Sequence, residues 1–189
     1  MKTINPDKLG LSKDKLMAME NFFKEKYIKN GKLAGIQTLI ARKGKVVHFE
    51  STGLRDVENN KKIEKDTIFR IYSMTKPITS VALMQLFEQG LFQLADPVGK
   101  FLPEFKNPKV FVSGSYPHFM TRPADRDISI RDLLTHTAGL TYGFHYRTNI
   151  DHAYRKVWSG PRGDNTDFSF PPLDLENFSQ SIASLPLEF

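Results

Sequence analysis

Ser73 and Lys76 stand three residues apart in the run Ser73-Met74-Thr75-Lys76. On a helix that spacing sets a hydroxyl and an amine one turn apart on the same face. A serine hydroxyl is a weak nucleophile until a neighbouring base takes its proton, and a desolvated lysine amine can act as that base. The start of a helix also leaves amides unpaired at the positive end of its dipole, so the Ser73 amide is placed to donate to a developing oxyanion. The chemistry this implies is acyl transfer through a covalent serine intermediate.

Spacing alone does not single out this pair. With 12 serines and 18 lysines in 189 residues, a Ser-x-x-Lys arises by chance, and a second one runs from Ser12 to Lys15. Ser12 opens a charged amphipathic stretch and reads as a plain helix N-cap. Around Ser73 the context differs. Pro77 is tolerated only in the first turn of a helix, so the helix must begin close to Ser73. From Ile78 to Phe87 seven of ten residues are apolar, which predicts burial nearly all round, and Gly90 supplies the stop. A polar pair directly ahead of such a helix is expected in a dry cavity, where a lysine is costly without a role.

Three stretches in order, SMTKPITSVALMQLFEQG from Ser73, LADPVGKFLPEF from Leu94 and ISIRDLLTHTAGL from Ile128, resemble the serine β-lactamase-related hydrolases. Among these the chain is most similar to family VIII carboxylesterases, relatives of class C β-lactamases and DD-peptidases. The resemblance implies an α/β (α+β) fold, an antiparallel sheet flanked by helices with a helical subdomain. It makes Ser73 the nucleophile and Lys76 the general base, with no cofactor and a small-molecule ester as substrate. β-Lactamase or DD-peptidase activity is the alternative within the class. A non-catalytic binding protein on the same fold is the alternative outside it.

The resembled enzymes also use a tyrosine in a Tyr-x-Asn or Tyr-x-Ser element. None of the six tyrosines, Tyr27, Tyr72, Tyr116, Tyr142, Tyr146 and Tyr154, has that context. In such chains the tyrosine follows shortly after a segment like the closing SIASLPLEF. The oxyanion-hole strand motif comes later still, and Trp158-Ser159-Gly160 matches only its letters. Residues 1–189 are therefore expected to be the N-terminal part of one domain. Residues 12–68 would hold a helix and the first strands, and 69–189 a mostly helical region. The C-terminal half would be required, and the segment alone is expected to be inactive and poorly stable.

The remaining elements follow from local signals. Leu16, Met19, Phe23 and Tyr27 predict a helix from Ser12 to about Asn30, closed by Gly31. Gly35–Ala41 and Lys45–Glu50 read as strands joined at Lys43-Gly44. Leu54–Thr67 reads as a polar connection, and Asp96-Pro97 as the start of a short helix ending near Pro103. Lys106–Asp127, with three prolines, is expected to be irregular. Ser129 to Asp132 has the form of a capping pair for a helix ended by Gly139. His136 inside that helix is a candidate base by residue type, but the resemblance implies that its His-Thr-Ala-Gly turn is a structural support, with the lysine supplying the base. Thr141–Pro172 is expected to be an insertion loop, with Tyr142, Phe144, His145 and Trp158 lining a pocket. A last helix is expected over Asp174–Ser184.

Composition sets the outer bounds. The chain is 40% hydrophobic and 12% aromatic, enough for a globular core. It has no cysteine, so thiolate chemistry and disulfides are excluded. The net charge of +6 comes from dispersed lysines and does not predict a nucleic-acid partner. The five histidines form no HExxH or clustered metal pattern, and no glycine-rich phosphate loop is present. MKTINPDKLG carries no apolar signal core and no membrane span is predicted, so the cytoplasm is the expected compartment, although a chain whose signal had been removed would read the same.

Overall fold

The computed structural model describes residues 2–159 and 174–189. Their backbone divides into two compact units, Met1–Tyr72 and Ser73–Phe189.

In the first unit Ser12 accepts the Lys15 amide at 3.3 Å and opens helix α1, Lys13–Phe23, which continues as a π-helical turn over Lys24–Ile28. Ser12 is thus an ordinary cap, and the chance Ser-x-x-Lys is explained. Strands β1, Gly35–Arg42, and β2, Lys45–Asp56, pair antiparallel around Lys43 and Gly44. Both turn residues have positive φ, 51° and 70°, as the tight turn of a right-twisted hairpin requires. The sequence places the end of this hairpin too early. β2 runs on to Asp56 and pairs with a two-residue strand β3, Lys61–Lys62, inside the stretch expected to be a mere connection. Glu20 of α1 meets His48 of β2 at 2.7 Å, and Thr38 of β1 bonds both, fastening the helix to the sheet.

The second unit is built around two apolar clusters. Phe92, Val98, Val110, Ile128, Ile130, Ala138 and Leu187 form one, with Leu83 and Phe87 of helix α2, Thr75–Glu88, against it. Ile150, Ala153, Tyr154 and Leu185 form the other. Between Leu94 and Phe105 the chain makes two short 3-10 turns, Val98–Lys100 and Pro103–Phe105, in place of the expected helix. Asp96 ties the first by accepting the Gln93 amide and the Lys100 ammonium.

Lys106–Asp127 is not irregular. Strands β4, Lys109–Ser115, and β5, His118–Pro123, make an antiparallel hairpin. Pro108 precedes β4, Pro117 sits in the turn and Pro123 is the last residue of β5, so none removes a donor from the middle of a strand. On the other side of β4 the tail runs parallel to it: the Phe111 amide donates to the Leu187 carbonyl and the Leu187 amide to the Lys109 carbonyl.

Helix α3, Ile130–Thr135, carries the expected capping box, with Ser129 and Asp132 bonding each other's amides. It ends at His136, which takes a left-handed φ of 59°, three residues ahead of the expected Gly139 stop. Gly139 itself has φ 75°, and a Cβ there would lie 2.6 Å from the Phe189 carbonyl oxygen, so the close approach of the tail demands glycine. The expected insertion loop is largely helical where described: α4 spans Asn149–Ser159. Helix α5, Leu175–Ala183, is capped by Asp174 through the Asn177 amide at 2.8 Å.

Candidate functional site

Ser73 lies in a 3-10 turn, Tyr72–Met74, that leads directly into α2. Tyr72 adopts φ 46°, a left-handed conformation that costs a non-glycine residue of order 1–2 kcal/mol. Lys76 is the second residue of α2, and its Nζ donates to Ser73 Oγ at 3.0 Å. The predicted one-turn juxtaposition is therefore present. The predicted dry cavity is not: both residues are exposed. The cause lies in α2, where Ile78 is 63% and Val81 62% exposed, while only the side bearing Leu83 and Phe87 meets a core. Apolar composition predicts burial all round only if neighbours stand on every side, and among the described residues they stand on one.

The second wall comes from the segment after α3. Tyr142, Phe144 and His145 pack as a three-ring cluster, with centroids 4.9 Å (Tyr142 to Phe144), 5.3 Å (Tyr142 to His145) and 4.8 Å (Phe144 to His145) apart. Lys76 Nζ stands 5.8 Å from the Tyr142 ring centroid, within the range of a cation–π contact. Of the aromatic candidates, the structure brings Tyr142 to Lys76 directly, and Phe144 and His145 adjoin it. Trp158 falls in the last turn of α4, and its side chain lies outside the described residues, as does Gly160. His136 caps α3, and its left-handed backbone accounts for its place.

Sequence reasoning missed what holds this aromatic turn. Asp151, fully buried, accepts hydrogen bonds from Thr141 Oγ1 at 2.6 Å, from the Arg147 amide at 2.8 Å and from the Thr148 amide at 3.3 Å. Burial works against its charge, but these donors outweigh it and hold the carboxyl below its ordinary value. Thr148 Oγ1 in turn accepts the Asp151 amide at 3.1 Å, a reciprocal capping box that starts α4. The letters Thr148-x-x-Asp151 followed by Ala153, Tyr154 and Val157 carried that signal, hidden by the density of aromatics and polar residues around it. Arg155 adds a bond to the Gly143 carbonyl at 2.5 Å. Tyr154, buried and hydrogen-bonded to the Thr141 backbone, has its phenol pushed up to about 12, chiefly by burial.

Comparison with known proteins follows the same lines. A family model described as Beta-lactamase matches residues 19–189. Esterase EstB of Burkholderia gladioli is 30% identical over 99% of this chain, which covers 43% of EstB. Protein Rv1367c of Mycobacterium tuberculosis is 39% identical over 83% of this chain and is covered over 36% of its own length. The solved structure of EstCE1, described as a hydrolase with promiscuous acyltransferase activity, superposes with a TM-score of 0.71 at 29% identity. The match takes in 92% of this chain and 41% of EstCE1. The chain thus spans less than half the length of each of these relatives.

Proposed function

This chain belongs to the beta-lactamase family and has its antiparallel sheets and helices, and on that premise we propose that it carries the nucleophile and base of a serine hydrolase acting on carboxylic esters. The observation that supports this most is the 3.0 Å contact between Lys76 Nζ and Ser73 Oγ at the mouth of α2. For attack the direction of that hydrogen bond reverses. The amine accepts the hydroxyl proton as Oγ bonds to the ester carbonyl carbon, and the carbonyl oxygen becomes an oxyanion facing the Ser73 amide. Collapse of the tetrahedral intermediate breaks the bond to the alcohol, which leaves with the proton that Lys76 took from Ser73; water then attacks the acyl carbon as it gives a proton to the freed amine, and that proton returns to Ser73 Oγ as the acid leaves. A tyrosine outside these 189 residues would serve the leaving group.

Esters are favoured over β-lactams because the relatives with a described activity include Esterase EstB and the hydrolase EstCE1. The ring cluster at Tyr142, Phe144 and His145 offers an apolar surface beside Lys76 for the acyl or alcohol group. The description of EstCE1 also favours a second outcome at the same serine, in which an alcohol replaces water and the acyl group is transferred.

The test is a fluorophosphonate adduct on Ser73, read by mass spectrometry of the full-length protein. Hydrolysis of a p-nitrophenyl ester is then compared with that of a chromogenic cephalosporin. An adduct with ester turnover supports the reading; no adduct favours a non-catalytic binding protein, and preferential cephalosporin turnover moves the activity to the β-lactamases.

A further inference from the structure

The six residues between Thr141 and Thr148 include Tyr142, Phe144 and His145, and one side chain reaches both ends of this turn, beside the Tyr154 bond to the Thr141 backbone and the Arg155 bond to the Gly143 carbonyl. Asp151 takes the Thr141 hydroxyl at the entry and the Arg147 and Thr148 amides at the exit. The carboxylate is inaccessible to water, so exchanging these partners for solvent is not open to it. At the exit Thr148 is bound a second time, its hydroxyl donating to Glu188 Oε1 at 2.5 Å. A turn anchored only at its exit could swing its aromatic residues about that hinge. Anchored at both ends on α4, it presents Tyr142 to Lys76 in one orientation.

Building on the assignment of Ser73 and Lys76 above, we propose that Asp151 is a positioning residue of the site, which sets the surroundings of Lys76 by fixing Tyr142 through the Thr141–Thr148 turn. Asp151 touches neither the reacting atoms nor Lys76. Its effect passes through the ring of Tyr142, and this distinguishes positioning from the mere support of α4.

The coupling is read by NMR on the full-length protein with labelled lysine side chains, Lys76 being assigned by Lys76→Arg. The Lys76 ε-methylene protons carry a ring-current shift defined as the change on Tyr142→Leu. Asp151→Asn is expected to remove that shift while circular dichroism keeps its helical signal, and the double variant with Tyr142→Leu should show no further change. Thr141→Val, which cuts only the entry anchor, should reduce the shift in part; it decides the matter if Asp151→Asn does not fold. A Lys76 signal indifferent to Tyr142→Leu overturns the proposal, as does one unmoved in a folded Asp151→Asn or Thr141→Val. Failure of the ester reading has a separate signature: no fluorophosphonate adduct on Ser73 although the Lys76 shift responds to Asp151, which leaves the positioning supported.

Discussion

The Arg126 guanidinium grips the Asp132 carboxylate with both terminal nitrogens, at 2.5 and 2.9 Å, and the same carboxylate accepts the Ser129 amide and hydroxyl at the start of α3. The guanidinium beside it, with the Ser129 bonds, holds the Asp132 carboxyl well below its ordinary value against the opposing effect of burial. Because the native value is depressed, the stability this group lends is fully present above about pH 4, the unfolded value, and is lost as pH falls toward the native one. Asp132→Asn should lower stability by about 1 to 2 kcal/mol at neutral pH and flatten the acid limb of a denaturation profile. An unchanged acid limb contradicts this.

Tyr154 makes the opposite prediction at the alkaline end. Its phenol is raised from 10.0 to about 12, so its contribution is complete below about pH 10 and lost as pH rises through the native value. In a spectrophotometric titration at 295 nm one tyrosine should ionise only near pH 12 or with unfolding, and that late component should vanish in Tyr154→Phe.

The two sides of α2 should respond unequally to substitution. Ile78→Ser and Val81→Ser, at exposed positions, should change stability by about 0.5 kcal/mol or less, whereas Phe87→Ala, which packs on the Phe92 cluster, should cost roughly 2 to 4 kcal/mol. Chemical denaturation of the 189-residue chain measures both. A large loss at Ile78 would mean that its side chain is covered in solution.

For the reaction itself, Ser73→Ala in the full-length protein should abolish the fluorophosphonate adduct. Lys76→Ala should slow its formation by about 10² to 10⁴, the usual share of a general base. Equal labelling rates with and without the amine would remove Lys76 from the mechanism.

Short-range signals were the legible ones. Ser12 and Ser129 announced their helices because a cap bonds an amide within three residues, and Lys43-Gly44 announced a hairpin because its turn needs two positive φ values. The pairing of Ser73 with Lys76 was legible for the same reason, since one helical turn fixes it. The exposure of that pair was not, because it depends on what stands opposite Ile78 and Val81, and no local pattern encodes a distant neighbour. The β4–β5 hairpin was hidden by prolines that turn out to lie at strand ends, and α4 by a stretch of rings that looked like a loop.

The parallel pairing of Leu187 with Val110 sets a timetable for synthesis. Strand β4 leaves the ribosome more than seventy residues before the stretch that completes its far side, so a nascent second unit must wait with that flank bare, and a stall anywhere before residue 187 would expose it to whatever else in the cell offers a free strand.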